Sequence, residues 1–438
     1  MRYVLNTLYL ITLLAAAPWL LWVALRRGKY RRGWGAKLLG RVPRSTGEDE
    51  VIWFHAVSAG EVNLLVPLVA AWRVRYPHWT VCISTTTRTG YDLARERFST
   101  LSVFYCPLDF SWAVSAALRR VRPTLLILAE LELWPNLIAA ARRQRVRVAV
   151  VNGRMSDRSL RGYRRLRLGV ARMLCSIDVL AVQTEEYRSR FIALGARASA
   201  VHVTGSVKFD GAQTDRQNPA TRRLATLAGI APGERVFLAG STQRGEELAA
   251  IETYQRLRTR YPELRLILVP RHPERFPEVA ELLDRSGLCW ARRSTLPDVP
   301  LPVEAVLLVD RVGELGAWWG TAQIAFVGGS LGRRGGQNMI EPAAYGAAVC
   351  FGPNTRNFRA VVSALLRCEA AVVIRNRAEL ERFVERCLVD PAYGQALGAR
   401  AQQLVGENLG ATVKTIDLLG QLPGLVPPQT GRSTVAAA

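Results

Sequence analysis

Glu61 lies where an acid can do chemistry, at the end of the stretch His55–Val62. Residues 51–57 form an apolar run that predicts a strand, and Ser-Ala-Gly predicts a tight turn. An amphipathic helix is predicted next, with one apolar side made of Leu64, Leu65, Leu68 and Val69. An acid in the first helical turn either stabilises the helix N-terminus or acts as a general base at the ligand-binding edge of a sheet. The stretch alone favours the first role, because acids are common there.

Two more acids, Glu130 and Glu132, follow the apolar run 125–129. If the strand continued, both side chains would face the same side, because side chains alternate along a strand. Buried carboxylates are costly unless they face a cleft or are paired. The two acids therefore either serve a cleft or pair with an arginine of the following basic helix, namely Arg142, Arg143 or Arg145.

Three later strand ends carry groups that suit an anion. Lys208 follows a strand near the middle of the chain and is either a point charge for phosphate or an ordinary surface lysine. Ser241 and Thr242 form a small turn between a strand and a helix, where backbone N–H groups could meet an anion. Arg271 lies between two prolines after another strand, beginning with Pro270, and could bind phosphate or carboxylate as a fork.

Two helix starts complete the candidates. Glu314 follows Gly313 and could simply cap a helix. The glycine-rich run that ends at Gly336 leads into a helix with Glu341 one turn in. This arrangement suits a nucleotide, because backbone amides can hold a phosphate and the acid can accept hydrogen bonds from ribose hydroxyls.

Short apolar, β-branched segments alternate with helical ones from residue 51 onwards, which predicts a doubly wound α/β architecture. We predict a Rossmann-like domain at 51–209, a polar linker at 210–232 and a second Rossmann-like domain at 233–422, with a cleft between them. The final helix is expected at 391–419. Residues 423–438 are predicted to be a disordered tail.

The N-terminus predicts a membrane anchor over residues 1–27. Residues 3–25 carry no charge and, at about 1.5 Å per residue, are long enough to cross a bilayer. Polar residues such as Asn6 and Thr12 favour the alternative of a helix lying in the membrane interface. The segment 28–50 is basic until Glu48, which places this side in the cytoplasm and beside anionic headgroups.

The amino-acid composition limits the kinds of partner and metal site that the protein can have. Lys and Arg outnumber Asp and Glu by 59 to 36, and the net charge of +23 implies an anionic partner. Seven cysteines without a CxxC pair argue against a disulfide framework or a zinc site. Four histidines without ligand spacing, and the lack of a DxD pair, predict that no metal is bound.

Several motifs in order along the chain resemble those of the 3-deoxy-D-manno-octulosonic acid (Kdo) transferases of Gram-negative bacteria: HAVSAGE, ELELWPN, VNGRMSDRS, GSVKFD, LVPRHPERF, FVGGS, GGQNMIEPAAYG and FGPNTRNF. The resemblance implies a GT-B fold, with the acceptor on the first of two facing domains and CMP-Kdo on the second. It implies inverting transfer of Kdo to the tetraacyl lipid A precursor without metal or cofactor. The implied location is the cytoplasmic face of the inner membrane, against its anionic surface.

The resemblance also implies roles for individual residues. Glu61 matches the proton acceptor, and Glu130 and Lys208 match positions that stabilise the transition state. The segments matching those that bind CMP contain Pro270, Arg271, Val312, Gly313, Glu314, Asn338, Met339, Ile340 and Glu341. A further donor loop could include Ser241, Thr242, Gly336 and Gln337. Gln337 stands where relatives carry histidine, so this side chain can donate a hydrogen bond but cannot carry a charge.

Two other functions remain open from the sequence. One is a GT-B transferase that moves another nucleotide sugar to a lipid. The other is a membrane-tethered protein that binds an anionic ligand. A nucleic-acid partner is not expected, because the strand-end carboxylates would repel a phosphate chain.

Overall fold

The structure is a computed structural model that describes residues 2–27, 33–47, 49–296 and 304–425. The chain divides into two compact units, the first comprising 1–210 with 410–438 and the second comprising Gly211–Leu409. Within the described residues, each unit is built on a seven-stranded parallel sheet. The predicted class, two Rossmann-like α/β units, is confirmed.

The sheet of the first unit reverses its direction of growth at its centre. Its strands are β1 (Val51–Ala56), β2 (Thr80–Thr85), β3 (Ser102–Tyr105), β4 (Leu125–Ala129), β5 (Arg147–Gly153), β6 (Val179–Val182) and β7 (Val201–Val203). They lie in the order β3-β2-β1-β4-β5-β6-β7. The chain builds outwards from β1 to β3 and then crosses to β4 on the other side of β1. At such a reversal the carboxyl ends of two adjacent strands leave a crevice that suits a ligand.

Helices cover both faces of this sheet. The helices along this part of the chain are α1 (Arg2–Arg27), α2 (Trp34–Leu39), α3 (Ala59–Arg75), α4 (Arg88–Arg97), α5 (Ser111–Val121), α6 (Pro135–Arg143), α7 (Asp157–Arg164), α8 (Arg167–Cys175) and α9 (Glu185–Ala193). The strands are buried on both faces, so they are continuous apolar runs rather than alternating ones. Helix α3 buries the predicted side chains Leu64, Leu65, Leu68 and Val69, although its sequence is apolar on most sides rather than clearly amphipathic.

Helix α1 was predicted to be a membrane anchor. Among the described residues, no helix combines the length and the apolarity that crossing a bilayer requires. The membrane-spanning alternative is therefore not confirmed.

The second unit repeats the reversal. Its strands are β8 (Arg235–Thr242), β9 (Leu264–Pro270), β10 (Trp290–Arg292), β11 (Val306–Leu308), β12 (Ile324–Val327), β13 (Ala348–Phe351) and β14 (Ala371–Val373). They lie in the order β10-β11-β9-β8-β12-β13-β14, so the reversal falls between β8 and β12. Its helices are α10 (Pro219–Leu227), α11 (Glu246–Leu257), α12 (Phe276–Ser286), α13 (Leu315–Trp318), α14 (Ile340–Ala344), α15 (Arg359–Arg367), α16 (Arg377–Val389) and α17 (Pro391–Asn408).

The predicted single helix at 391–419 is two helices that belong to different units. Helix α17 ends at Asn408, and Gly410 then adopts a φ of 82°, which favours glycine. Helix α18 (Ala411–Gly420) packs against α3 of the first unit. Asp210 fixes its start by accepting the backbone N–H groups of Gly410, at 2.8 Å, and Thr412. The predicted second domain therefore ends earlier than residue 422.

The predicted linker 210–232 and tail 423–438 also differ from the prediction where they are described. Much of the linker folds onto the second unit, because it contains α10 and because Arg216 donates hydrogen bonds to three backbone carbonyls there. Of the tail, Leu425 is buried in the first unit, and residues 426–438 lie outside the described residues.

The return of α18 to the first unit can be tested with one buried side chain. Leu419 is fully buried against α3, so Leu419→Ala should destabilise the first unit by about 2–5 kcal/mol. Hydrogen exchange should speed up in peptides of α3 and remain unchanged in α16 and α17. The control is Val413→Ala on the same helix, where the side chain is 61% exposed. Faster exchange confined to α17 would contradict the assignment.

Candidate active site

Glu61 lies at the reversal point of the first sheet, in the first turn of α3. Its Oε2 accepts the backbone N–H of Val57 at 2.8 Å, and its Oε1 accepts the Ser58 hydroxyl at 3.0 Å. The carboxylate therefore does close the turn, as the capping role predicted. Burial raises the pKa of Glu61, and the charge of Glu130 adds to this, while the two hydrogen bonds oppose it. A carboxylate held in place with a raised pKa is also suited to accept a proton.

Glu130 lies at the end of β4, the strand beside β1. Its φ of 53° is in the left-handed region, so the extended strand stops at Ala129 and the predicted alternation does not hold. The side chain is buried and carries two cations on its two oxygens. Arg154 Nη2 lies 2.6 Å from Oε2, and Lys208 Nζ lies 3.2 Å from Oε1. The structure thus joins two of the predicted site residues directly, Glu130 and Lys208.

One of the strand-end acids does pair with an arginine, as the alternative predicted, but the arginine is not one of those in the following helix. Arg142 pairs with Asp178 instead, at 3.0 Å. Glu130 forms its ion pair with Arg154, the residue that directly follows β5. The sequence analysis did not single out Arg154. An arginine immediately after a buried apolar strand was the signal that could have found it.

Glu132 adds a third carboxylate to this cluster. Its Oε2 accepts the indole N–H of Trp134 at 2.8 Å. Burial first, and then the charges of Glu61 and Glu130, raise the pKa of Glu132 to about 7. Glu132 therefore titrates near neutral pH, and the negative charge close to Glu61 varies with pH in that range.

His55 has a structural position on β1. It is fully buried, with Nδ1 2.9 Å from the Ser84 hydroxyl and its ring edge against Trp134. Burial lowers the pKa of His55 to about 4, so the ring is neutral at neutral pH. This fits the absence of any role for His55 in the sequence analysis.

Asp109 links helix α1 to the segment that carries the acids. Its carboxylate accepts the backbone N–H groups of Asn136 at 2.9 Å and Leu137 at 2.8 Å, at the start of α6. It also accepts the Tyr9 hydroxyl at 3.3 Å. Asn6 of α1 accepts the backbone N–H at the start of α5. Neither Asp109 nor Tyr9 was predicted as a site residue, because their partners are distant in sequence.

In the second unit, Glu246 bridges the two strand ends at the reversal point. It lies in the first turn of α11 and is almost fully buried. Its oxygens accept four backbone N–H groups at 2.7–3.0 Å, those of Gln243, Gly329, Ser330 and Leu331. The loop after β12 is thereby fixed to the end of β8. The sequence analysis missed this residue.

The turn predicted at Ser241 and Thr242 is wrong: both residues belong to the irregular end of β8, beside Glu246. Ser241 has a φ of 54°, and the Thr242 hydroxyl is buried without a hydrogen-bond partner among the described residues. A Cβ on Gly328 would lie 2.6 Å from the Thr242 Cα, so this approach of two strand ends requires glycine. The N–H of Gln243, next to this strand end, already has an internal acceptor in Glu246.

Glu314 is held by an ion pair. Arg293 donates to both carboxylate oxygens, at 2.9 and 2.8 Å, and the Trp318 indole donates at 3.2 Å. Gly313 and Glu314 line a cavity of about 340 Å³ together with Arg223 of α10. Val312 is 76% exposed beside them. This cavity lies within the second unit and contains two of the predicted donor-binding residues.

The remaining predicted residues lie at the end of β9 and around the start of α14. Pro270 ends β9 and Arg271 follows it with an exposed side chain. Burial raises the pKa of Glu341, while the amide of Asn338, which donates to it at 3.0 Å, and the charge of Arg271 lower it.

Backbone and packing contacts order the glycine-rich loop itself. The Gly336 N–H donates to the Gly329 carbonyl at 2.7 Å, and the Gln337 side chain packs against Gly329. Met339 and Ile340 are buried. In the part of the chain that the structure describes, no three His, Cys, Asp or Glu side chains come together to hold a metal ion.

Comparison with solved structures defines the fold class. The structure of a UDP-GlcNAc 2-epimerase from Neisseria meningitidis, bound to UDP-GlcNAc, aligns with a TM-score of 0.52 at 12% identity. The alignment covers 84% of this chain and 99% of the epimerase. Together with the two parallel sheets, this likeness shows a GT-B-type fold.

Sequence comparison defines the family. The family model described as 3-deoxy-D-manno-octulosonic-acid transferase (kdotransferase) matches residues 29–211. The 3-deoxy-D-manno-octulosonic acid transferase of Bordetella pertussis is 35% identical over 427 residues, covering 94% of this chain and 98% of the relative. That of Haemophilus influenzae is 35% identical over 372 residues, covering 84% and 86%. The chain belongs to the Kdo transferase family and is a glycosyltransferase.

The electrostatic coupling of the three acids can be measured directly. Glu61→Gln removes a negative charge that raises the pKa of Glu132, so this pKa should fall below about 7. It should stay above that of an exposed glutamate, because burial is the larger cause. Carboxyl ¹³C NMR titration of labelled glutamates measures the change, and Glu96→Gln on the exposed side of α4 is the control. An unchanged Glu132 pKa would show that the two acids are not coupled.

Proposed function

We propose that the protein transfers Kdo from CMP-Kdo to a sugar hydroxyl of the tetraacyl lipid A precursor, with inversion at the anomeric carbon. Family membership supports Kdo as the transferred sugar. The observation that carries the proposal for the reaction is the position of Glu61. It is a partly buried carboxylate with a raised pKa, next to an acid that is held by two cations.

In this mechanism Glu61 takes the proton of the acceptor hydroxyl. The hydroxyl oxygen forms the bond to the anomeric carbon of Kdo as the bond from that carbon to the phosphate oxygen breaks. CMP leaves with the electron pair of the broken bond. The turn contacts from Val57 and Ser58 hold the carboxylate in one orientation, which reduces the reorganisation needed when the proton moves.

Charge in the transition state is assigned to side chains rather than to a metal. Lys208 and Arg154, fixed on Glu130, supply positive charge near Glu61. On the second unit, Arg271 and the cavity beside Glu314 are proposed to receive the CMP part of the donor, with Asn338 and Glu341 accepting or donating to its ribose.

The proton-acceptor role predicts the behaviour of Glu61→Gln. The amide is nearly isosteric but cannot accept the proton, so the transfer rate should fall by about 10²–10⁴. Thermal unfolding and CMP binding should remain close to those of the unchanged protein. Product mass from purified protein, CMP-Kdo and tetraacyl precursor gives the rate, and Asn63→Gln, an exposed change on the same helix, is the control. Near-normal transfer by Glu61→Gln would remove the assignment.

The donor itself is tested in the same assay. UDP-sugars offered in place of CMP-Kdo should give no product. Turnover with a UDP-sugar and none with CMP-Kdo would reject the proposed reaction.

We also propose that the protein works at the cytoplasmic face of the inner membrane, with α1 lying in the interface. Exposed apolar side chains of α1 support this, among them Val4, Leu8, Ile11 and Leu14. The basic residues around 26–44 would add attraction to anionic headgroups.

This location predicts that Leu8→Asp with Leu14→Asp weakens binding to anionic vesicles. Both side chains are more than half exposed, so the fold should tolerate the changes. Flotation with vesicles of anionic and of neutral lipid measures the bound fraction, which should fall for the variant and be lower with neutral vesicles. Val74→Asp, at an exposed site on α3, is the matched control. An unchanged bound fraction would contradict the interfacial role.

A further inference from the structure

A groove of about 530 Å³ lies in the first unit, beside the segment that carries Glu130 and Glu132. It is lined mainly by apolar side chains. They come from α1, from the segment after β4 and from the α7–α8 region, and include Leu5, Leu133, Pro135, Leu166, Leu168 and Met173. This volume is within the range of ligand-binding clefts in proteins.

Two leucines at the groove are exposed to an unusual degree for their type. Leu166, between Arg165 and Arg167, is 69% exposed, and Leu168, which follows Arg167, is 89% exposed. An apolar side chain in water costs free energy, and an exposed apolar patch with a polar rim is typical of a binding site. Packing within the protein does not account for these two leucines.

The rim of the groove is strongly basic. Arg164, Arg165 and Arg167 line it, and the sequence contains no acid between Asp157 and Asp178. These arginines lie beside the exposed leucines, so the surface offers positive charge and apolar area together. Its chemical complement is an anionic amphiphile, with the phosphate on the arginines and the hydrocarbon in the groove.

The position of the groove near the three acids favours the acceptor lipid over other anionic amphiphiles. Leu133, in its wall, lies between Glu132 and Trp134, the hydrogen-bonded pair of the acid cluster. Leu5 of α1 also lines the groove. It precedes Asn6, which hydrogen-bonds to Ser111 at the start of α5. The groove is thus continuous in the chain with the residues that hold the acids. A bilayer lipid would have no need of this proximity, whereas an acceptor lipid must bring its hydroxyl to Glu61.

We propose that this groove binds an acyl chain of the phosphorylated lipid acceptor, while Arg164, Arg165 and Arg167 bind its phosphate. The inference rests on the proposed function, because it assigns the lipid of the transfer reaction to this surface. The bound chain fixes the lipid so that its sugar lies at Glu61, and the groove thereby selects acylated over deacylated acceptors.

The first test separates acyl recognition from catalysis. Leu166→Asn with Leu168→Asn removes the apolar side chains and leaves the charge of the arginine rim unchanged. The double variant should raise the KM for the detergent-dispersed tetraacyl acceptor about tenfold or more, with kcat nearly unchanged. The rate with the deacylated, phosphorylated disaccharide should not change. Val74→Asn is the control for a polar group at an exposed apolar site. Equal losses on both acceptors, or no change on either, would overturn the proposal.

The second test does not depend on turnover. A tetraacyl acceptor analogue with a photoreactive diazirine on one acyl chain is crosslinked to the full-length protein and mapped by mass spectrometry. Labelling should concentrate in residues 163–173, with Leu133 and Leu5, and should be lost in the double variant. Labelling elsewhere overturns the groove assignment even if transfer occurs. If the wild-type protein transfers no Kdo but is labelled in the groove, the proposed function fails and the lipid site stands.

Binding of the bilayer is the competing explanation, and vesicles without acceptor distinguish it. The double variant should float with anionic vesicles as well as the wild-type protein does. If it loses vesicle binding while its KM for the detergent-dispersed acceptor is normal, the surface serves the membrane and the acyl-chain proposal is rejected.

Discussion

The ion pairs of Glu130 are the interaction on which the site of the first unit depends. Three carboxylates, Glu61, Glu130 and Glu132, lie close enough for their charges to affect one another, and two of them have a raised pKa. Like charges in a partly buried site repel, and the cations of Arg154 and Lys208 offset this repulsion. Removing either cation would leave the buried Glu130 carboxylate less compensated, and because both cations are partly exposed, solvent screens part of their charge. Both cations come from strand ends on the same side of the sheet reversal, so the order of the strands creates the cluster.

At the sheet reversal of the second unit, a buried carboxylate is stabilised by backbone N–H groups rather than by cationic side chains. There the reversal brings backbone N–H groups together, and the buried carboxylate of Glu246 accepts four of them. Such hydrogen bonds to a charged group are stronger than neutral ones, so the loop after β12 is fixed before any donor arrives. The N–H groups bound by Glu246 are not free for a phosphate. For this reason the proposed donor contacts in this unit are side chains such as Arg271 and the cavity beside Glu314.

Features set by local sequence patterns could be predicted, whereas contacts that depend on the order of the strands could not. Buried parallel strands are continuous apolar runs, so their positions and the acids at their ends could be predicted. Arg154 could not be assigned to Glu130, because that pairing requires β5 to lie next to β4. The alternation argument failed at Glu130, where a left-handed φ ends the strand. The division between α17 and α18 was missed although Gly410 is a helix-stop signal, and only tertiary packing shows which unit buries each part.

The polar residues in the apolar helix α1 attach it to the first unit. Asn6 was one of the polar residues that made a membrane span a poorer interpretation of the sequence, and in the structure Asn6 and Tyr9 both make contacts with the first unit. Their partners, Ser111 and Asp109, lie at and just before the start of α5, and Asp109 also accepts backbone N–H groups at the start of α6, the helix that follows Glu132. The same helix keeps apolar side chains such as Leu8 exposed. The contacts of Asn6 and Tyr9 thus fix the apolar surface of α1 to the unit that carries the three acids, so a membrane bound by α1 would lie against the same unit as Glu61.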